Sequence, residues 1–446
     1  MDYVPNTEQQ LTEMLQAIGA QSFEELLSTI PAEARSRGLD VPSGLSELEV
    51  LALCESLAAG NRSVRELASF AGFGAYQHFI PTAVDAIASR GEWLTPYTPY
   101  QAEASQGTLQ MMYEFQTMVS ELLQMDVANA SLYDGASGFA EAGVLALRLG
   151  GRTRLLVSET VHPHYREVLA TYLSGFSCTV QTIPQTNGVT DLEALAAAAK
   201  DDVAAVMMQQ PNVFGCLEPM EQAGELAHRI GALFVANVYP VSLGLLQPPG
   251  AYGADIAVAE GRCLGSPLTA GGPGLGLFAT SQELLRRMPG RLTGCTVDHA
   301  GQRAFTLTLQ TREQHIRREK ATSNVCTNAG WLCLRATVFL SLLGPAGLRR
   351  MAELSLQKAH ELQRRMLDEG FEPAFDQPFF NEWTMRWPRT ARDGRLLRKL
   401  ERAGIVSGVA MAPWYPMLDR EAVWCATELT TREQMDRLCE AVHTHG

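Results

Sequence analysis

A glycine-rich loop near the middle of the chain has the features of a ligand-binding turn. The apolar stretch Ala254–Ala259 is predicted to form a buried strand, and the loop Glu260–Gly276 follows it directly. Glycines in such a loop let the backbone approach a ligand or another chain closely. The residue just past the strand is Arg262, whose guanidinium stays protonated and cannot act as an amine nucleophile. The loop therefore resembles a cofactor site without a residue that could bond to the cofactor.

A second requirement of cofactor chemistry is also missing nearby. Enzymes of the aminotransferase type need a lysine past such a strand to form a Schiff base with pyridoxal phosphate, and an acidic side chain to hold the ring nitrogen as a cation. Residues 232–246 contain no acid, and the nearest polar candidates are Asn237 and Tyr239. No lysine lies within fifty residues of Arg262; the four in the chain are Lys200, Lys320, Lys358 and Lys399. Because the lysine and the acid are both missing, we predict a chain that has kept the fold of such enzymes but no longer binds the cofactor.

Two further stretches could face the same ligand. Gly135, Ala136 and Ser137 begin a predicted helix, where free N–H groups and the positive end of the dipole could hold a phosphate. A capped, tightly packed helix start would explain the same residues. His162 follows another predicted strand, where its ring could stack on a planar ligand, although a lone histidine there is more often part of a turn.

Two loops rich in Gly, Pro and aromatic residues precede these elements. They cover 70–81, which includes His78, and 95–103, which includes Tyr97, Tyr100 and Gln101. Rings with polar tips on a stiff backbone often line sites. Packing of the loops onto the core would explain the same composition.

The order of patterns along the chain predicts an α/β fold. Helical patterns occupy Glu8–Ile18, Ser22–Ile30 and Ser46–Ala58, with Ser22 and Ser46 as candidate caps. Apolar strands then alternate with helices of about ten residues, which indicates a mostly parallel sheet covered on both faces. We predict a helical N-terminal arm with the aromatic loops at 1–100, a large α/β domain at 101–330 and a small α+β domain at 331–446.

Composition excludes several classes of function. The chain has 446 residues with 36 basic and 49 acidic side chains, a net charge of -13, and no basic cluster that could follow a nucleic-acid backbone. No apolar run approaches the length of a membrane span and the first residues do not resemble a signal peptide, so we expect no membrane partner and a cytoplasmic protein. Nine widely spaced cysteines without a Cys-x-x-Cys pair argue against a disulfide framework or a zinc site.

Several stretches together resemble one family, the glycine decarboxylase P-proteins, and specifically the separate N-terminal subunit of its two-chain form. The stretches that carry the resemblance are 75–81, 97–101, 105–107, 133–136, 261–273 and, most specifically, Thr311–Asn324. The resemblance covers nearly the whole chain. It departs from the expected pattern at Gln77, Gly274 and Cys295, where an aspartate, an aromatic residue and an acid are expected.

This resemblance implies an aminotransferase-type fold (pyridoxal-phosphate fold type I) and a subunit of a glycine-decarboxylating enzyme. Cofactor and Schiff-base lysine would belong to a homologous second subunit, in a heterotetramer with two copies of each. The implied reaction decarboxylates glycine and transfers its aminomethyl group to the lipoyl arm of H-protein. This chain alone would be inactive, with His78, Tyr97, Tyr100 and Gln101 as possible substrate-orienting groups.

Two alternatives remain open from the sequence. One is a non-catalytic scaffold or regulatory protein of the same fold, which the absence of a lysine-bearing homologue in the genome would favour. The other is a stand-alone pyridoxal-phosphate enzyme, which would need one of four distant lysines to reach the site.

Overall fold

A computed structural model of the chain describes residues 6–36, 38, 40–388 and 395–443, without the side chain of Ala270. The chain divides into two compact units, Met1–Ser63 and Val64–Gly446. The domain boundaries near residues 100 and 330 stay a prediction.

The helices, in chain order, are α1 (Glu8–Ala17), α2 (Phe23–Leu26), α3 (Glu47–Ala59), α4 (Thr82–Ala88), α5 (Gln106–Leu123), α6 (Gly135–Gly150), α7 (Pro163–Leu173), α8 (Leu192–Ala198), α9 (Met220–Arg229), α10 (Gln314–Arg317), α11 (Gly330–Asp368), α12 (Arg395–Arg402) and α13 (Arg432–His443). The strands are β1 (Ala68–Ser69), β2 (Val127–Ala128), β3 (Arg154–Ser158), β4 (Thr179–Ile183), β5 (Gln185–Thr186), β6 (Val189–Thr190), β7 (Val203–Gln210), β8 (Leu233–Val238), β9 (Ile256–Glu260), β10 (Gly276–Thr280), β11 (Leu292–Val297), β12 (Arg303–Thr308), β13 (Glu372–Pro373), β14 (Glu382–Arg386), β15 (Ile405–Val406), β16 (Val409–Ala410) and β17 (Glu421–Cys425).

The first unit contains α1 to α3, and both predicted serine caps are confirmed. The Ser46 hydroxyl accepts a hydrogen bond from the N–H of Glu49, whose carboxylate accepts in turn from the N–H of Ser46. The Ser22 hydroxyl caps α2 by accepting from the N–H of Glu25, but α2 ends at Leu26, so the helix predicted to Ile30 is wrong. Between Leu26 and Ile30 the backbone hydrogen bonds join residues three apart, as in turns, and not four apart as in an α-helix. Pro31 follows, and a residue before proline is disfavoured in a helix.

The second unit is built on a seven-stranded sheet in the order β2-β10-β9-β8-β7-β3-β4. Neighbours from β4 to β9 are parallel, while β10 and β2 are antiparallel to their neighbours at the other edge. Parallel strands need helical crossovers, which cover both faces of the sheet. The predicted mostly parallel α/β sheet is confirmed.

Alternate residues of the central strands serve two separate cores. Val235 and Val258 pack with residues of α6 and α7 on one face. Ala236 and Ala257 pack with residues of α5, α9 and α11 on the other. The carboxyl ends of β3, β7, β8 and β9 consequently meet at one edge of a rigid sheet, where open α/β folds usually bind their ligands.

A smaller antiparallel sheet has the order β13-β14-β17-β16. Trp383 and Trp424 lie opposite each other across β14 and β17 and are almost fully buried against α12, α13 and the end of α11. The predicted strands at 381–386 and 423–427 are therefore confirmed, with bounds shifted by one or two residues.

The long helix α11 is interrupted at Gly344, whose φ of +57° is not helical and which precedes Pro345, as predicted. Its apolar part meets the length and composition of a membrane-spanning helix, a test that core helices of soluble proteins also meet. No membrane span was predicted from the sequence for this stretch, which contains Arg335. In the fold this part contributes Leu332, Ala336 and Phe339 to the main core.

Strand β12 overlaps the start of the charged segment at 306–324 and forms a hairpin with β11, and no strand was predicted there. The short helix α10 starts later in the same segment. Phe305 and Leu307 of β12 are buried while the residues between them are more exposed, a period of two that marks a strand.

Candidate functional site

A cavity of about 50 Å³ lies where the parallel strands end. Gln209, Asn237 and Glu260 reach it from β7, β8 and β9. His162 lines it from the turn after β3, and Glu382 from the smaller sheet. The cavity therefore occupies the edge at which the sequence analysis expected a site, and it brings together the three predicted residues Arg262, Asn237 and His162.

Asn237 is the side chain that stands at the end of β8. It is 4% exposed, and its Nδ2 donates to Oε1 of Gln209 over 3.2 Å. Its Oδ1 is buried without a hydrogen-bond partner among the described residues. The position thus supplies an amide and no negative charge.

Arg262 lies in a single turn, Gly261–Cys263, directly past β9. Its backbone N–H donates to Oε1 of Glu260 over 2.9 Å. Its half-buried guanidinium makes no hydrogen bond or ion pair with the residues that the structure describes. A cation that the fold does not use therefore lines the cavity.

The start of α6 is closed by acidic side chains of the chain itself. Oδ1 of Asp134 accepts from the N–H of Ser137 over 2.7 Å, and Oε2 of Glu260 accepts from the N–H of Gly135 over 3.0 Å. A side chain at Gly135 would collide with the Tyr165 hydroxyl and the Glu260 backbone, and Ala136 is half-buried in the same turn. An internal carboxylate therefore stands where a phosphate would need the free N–H groups.

Glu260 joins three backbone segments, so its removal should be costly. Besides Gly135 it accepts from the N–H groups of Arg262 and Leu275, at 2.9 and 2.8 Å. We expect Glu260→Gln to lower the free energy of unfolding by about 2–4 kcal/mol, because the amide NH₂ would face backbone donors and leave them unpaired. Urea denaturation measures this. Glu225→Gln, on the exposed side of α9, is the control, and equal stability of the two variants would contradict the bridging role.

His162 is held in place as a neutral ring. Its Nδ1 accepts from the N–H of His164 and its Nε2 lies 3.2 Å from the carbonyl oxygen of Phe73, whose ring centroid is 4.2 Å away. Burial lowers the pKa of His162 to about 4, although the bond to Phe73 opposes the shift. Both ring nitrogens of His162 contact backbone atoms of the chain itself. This favours the alternative that His162 is part of a turn.

The sequence analysis missed Glu382 and Tyr76, which form the opposite wall of the cavity. The Tyr76 hydroxyl donates to Oε2 of Glu382 over 2.8 Å, and the N–H of Phe73 donates to the other oxygen. Burial raises the pKa of Glu382 to about 7, with both hydrogen bonds opposing the shift. An acid at the start of a mostly apolar strand was the available signal, but only the fold shows that it faces β7 and β8.

The raised pKa of Glu382 predicts a pH-dependent stability. Because the folded state holds the proton more tightly than the unfolded state, with a pKa of 4.5, this group stabilises the fold below about pH 4.5 and loses that effect as pH rises through about 7. We expect the difference in unfolding free energy between wild type and Glu382→Gln to fall by about 3 kcal/mol over this window. Urea denaturation across this pH range measures it, and a constant difference would contradict the shift.

The four predicted substrate-orienting residues do not lie together. His78 is buried, with Nδ1 2.7 Å from a carboxylate oxygen of Glu428 and Nε2 against the hydroxyl of Tyr239, which lines the cavity. Tyr97 is 80% exposed and lines a separate groove of about 490 Å³. Tyr100 is 54% exposed and Gln101 is exposed as well. Only His78 is connected to the cavity at the strand ends.

The three departures from the family pattern also lie in separate places. Gln77 is half-buried beside another cavity, near Cys425. A Cβ added at Gly274 would lie 2.6 Å from that of Asp134, so the close approach of these two loops excludes a larger residue without rearrangement. Cys295 is exposed on β11, opposite Phe305.

The residues present do not fit pyridoxal phosphate. Among the described residues, no lysine lines the cavity, and Arg262 and Asn237 stand where the amine and the acid are needed. The Glu260 carboxylate would repel a phosphate at the start of α6.

Comparisons with known proteins identify the family of the chain. The family model described as glycine cleavage system P-protein matches residues 1–442. Proteins named probable glycine dehydrogenase (decarboxylating) subunit 1 are 47% identical over 443 residues in Carboxydothermus hydrogenoformans, covering 99% of each chain, and 48% identical in Desulfitobacterium hafniense, covering 98% of each.

Solved structures also show similarity to this family and to its fold. A crystal structure of glycine decarboxylase (P-protein) of the glycine cleavage system, in inhibitor-bound form, superposes with a TM-score of 0.91 at 44% identity and full coverage of both chains. An alanine–glyoxylate aminotransferase from Nostoc sp. shares the fold alone, with a TM-score of 0.59 at 17% identity over 92% of this chain and 97% of that one. The fold is therefore of the aminotransferase type, as predicted, and the chain belongs to the glycine cleavage system P-protein family.

Proposed function

We propose that this chain is the subunit without pyridoxal phosphate in a two-chain glycine dehydrogenase (decarboxylating). The single observation that carries the proposal is the Glu260 carboxylate at the N–H of Gly135, which fills the phosphate position from within the chain. Arg262 and Asn237 support it, since neither can replace the lysine or the acid of a working site. The relatives named subunit 1 match this chain over 98–99% of its length, which supports a separate second subunit.

The second subunit would be a homologous chain that carries the lysine and the cofactor, in an assembly of two copies of each. The assembly would decarboxylate glycine and pass the aminomethyl group to the lipoyl arm of H-protein. The net charge of -13 favours neither nucleic acid nor an anionic membrane surface as a partner. We place the assembly in the cytoplasm.

In this assembly the chain would supply part of the wall around glycine. Such a wall orients the substrate carboxylate, excludes water and leaves a passage for the lipoyl arm. The candidates are Tyr97, Tyr100 and Gln101, because their side chains are exposed and available to a partner. His78 would not touch glycine itself, since its ring is buried between Glu428 and Tyr239; it would hold the Tyr239 hydroxyl in position.

The test is reconstitution with a lysine-bearing homologue from the same genome. Glycine–bicarbonate exchange is measured with lipoylated H-protein for each chain alone and for the copurified pair. We expect exchange only from the pair, and borohydride reduction followed by peptide mapping should place the pyridoxyl group on the partner. A reduced adduct on this chain, or full exchange by the partner alone, would refute the proposal. A stable pair without exchange would favour the scaffold alternative.

A further inference from the structure

The first unit of the chain, residues 1–63, has almost no core of its own. Among its described residues, Ala20 is the only one that is buried. A segment of this length that is stable by itself hides most of its apolar side chains from water. Large apolar residues are instead exposed in all three of its helices, for example Met14 in α1, Phe23 in α2 and Leu48 in α3. The unit therefore presents apolar surface of the kind that a partner covers.

Helix α3 carries apolar residues on two sides. Val50, Leu53 and Leu57 are spaced by three and four residues, so they lie on one side, and all three are exposed. Leu48 and Leu51 lie on nearly the opposite side and are exposed as well. A helix that is apolar on two sides is normally enclosed by protein. A single flat surface would leave one of these sides in water, so α3 fits a groove.

The helical form of α3 is specified locally, although none of its residues is buried. Its N-terminus is closed by the reciprocal hydrogen bonds of Ser46 and Glu49. With 13 residues, α3 is no longer than the limit of about 12–15 residues below which an isolated helix is marginal in water. Docking of its two apolar sides would supply the stability that its own unit does not provide.

Charge selects the kind of partner. Residues 1–63 contain ten acidic and three basic side chains, and α3 itself has three acidic residues and no basic one. The remainder of the chain also has more acidic than basic side chains. A second copy of the chain would therefore bring like charges to α3, and so would an anionic lipid surface. The complementary surface is an apolar groove with Lys or Arg at its rims, on a different chain.

We propose that α3 docks into an apolar groove with basic rims on the lysine-bearing second subunit. The inference rests on the proposed function, because the second subunit is taken from there. The apolar residues of α3 face the walls of the groove, and its carboxylates face the rims. The role of the first unit is thus to join the two chains, and the contact is large and apolar, as in obligate assemblies.

Cys54 reports on the docking, because it lies on α3 and is exposed. The full-length chain, alone and in the copurified pair, is treated with N-ethylmaleimide, and alkylation of Cys54 is followed by peptide mass spectrometry. We expect the rate of alkylation to be at least tenfold lower in the pair than in the chain alone. An equally low rate in the chain alone would overturn the inference. At every concentration it would mean that α3 is covered by its own chain, and only at high concentration that a second copy covers it.

The affinity of the pair tests the two sides of α3 directly. Leu53→Glu and Leu48→Glu each place a charge on one apolar side, and both variants alone should fold like the wild type, since these positions are exposed and glutamate favours helices. We expect each to weaken binding to the second subunit at least tenfold in biolayer interferometry, because the charge would be buried without a partner. Leu397→Glu on α12 is the matched control. Leu397 is 49% exposed, against 50% for Leu53, and its variant should bind like the wild type.

Failure of this inference can be told apart from failure of the proposed function. Wild-type affinity in both Leu53→Glu and Leu48→Glu, or unchanged alkylation of Cys54 in an active pair, would overturn the inference alone. A stable pair without glycine–bicarbonate exchange would contradict the proposed function, while the alkylation and affinity measurements would still decide whether α3 docks. Absence of any pair between the two chains would refute both.

Discussion

Tyr97→Phe is expected to lower the glycine–bicarbonate exchange rate of the reconstituted enzyme by about ten- to a thousandfold, the scale of one lost positioning hydrogen bond. Decarboxylation requires the bond from Cα to the carboxylate to be held at a fixed angle, so losing one donor should lower turnover more than cofactor affinity. The variant should still assemble with its partner and bind the same amount of pyridoxal phosphate.

The structure makes Tyr97 the most accessible of the predicted donors. Its side chain is 80% exposed, and its hydroxyl makes no hydrogen bond with the described residues. Pro96 and Pro99 stiffen the loop on both sides, and Trp93 and Trp331 line the same groove. A phenol held on such a loop loses little freedom when it binds a substrate or a partner.

Tyr100→Phe is expected to give a fall of the same size, but it carries a second effect. The Tyr100 hydroxyl accepts from Arg291 over 2.9 Å, and the guanidinium lies 4.9 Å from the ring centroid. Arg291 also forms a buried ion pair with Glu313 at 2.7 Å. Loss of the hydroxyl therefore leaves a buried cation with one acceptor fewer, which should lower stability as well as turnover.

Tyr113→Phe serves as the control for both variants. Tyr113 is a half-buried tyrosine of α5 that packs against Phe305 and lines a different cavity from the groove of Tyr97. The control should retain full exchange activity. Full activity in Tyr97→Phe and Tyr100→Phe would instead assign these tyrosines to packing at an interface, and a loss of assembly would exclude a purely positioning role.

The sequence predicted the sheet well because its strands carry a strong local signal. β3, β7, β8 and β9 are continuous apolar runs between helices, and a strand buried on both faces must have that composition. The hairpin of β11 and β12 was missed because neither strand is a continuous apolar run. Its pairing joins residues that are distant from their packing partner α5, and only tertiary packing selects the strand.

The candidate site could be predicted in part. Arg262 and Asn237 were found because their positions relative to strand ends are set by local sequence, and both strands formed as expected. Glu382 and Tyr76 were not found, since Glu382 comes from the smaller sheet and Tyr76 from the loop at 70–81. No local pattern specifies how either is placed against β7 and β8. The role of Glu260 was not predicted, because two of its donors lie at the two ends of its own loop and the third, the N–H of Gly135, comes from a distant segment of the chain.

Restoring the lysine alone is expected to leave the chain unable to hold pyridoxal phosphate. Arg262→Lys provides an amine at the end of β9 but leaves two other obstacles in place. The ring nitrogen would meet the amide of Asn237, which cannot stabilise a cation as an acid does. The phosphate would meet the Glu260 carboxylate at the N–H of Gly135.

Because of these obstacles, we expect no Schiff base at all in the single variant. After incubation with pyridoxal phosphate, Arg262→Lys should give no stoichiometric Schiff-base absorbance and no adduct at residue 262 after borohydride reduction. The lysine-bearing partner, treated identically, should be labelled on its own lysine. Adding Asn237→Asp should still fail, because two like charges then surround the space where an anionic cofactor must enter.

Only a variant that also removes the Glu260 charge tests whether the phosphate position is the decisive barrier. In Arg262→Lys with Asn237→Asp and Glu260→Gln, the N–H of Gly135 faces an amide instead of a carboxylate, so an anion can compete for it. We expect the first detectable adduct in this triple variant, at the stability cost already predicted for Glu260→Gln. Stoichiometric labelling of the single variant Arg262→Lys would show that the internal carboxylate moves aside readily, and the proposed loss of the cofactor site would then rest on the missing lysine alone.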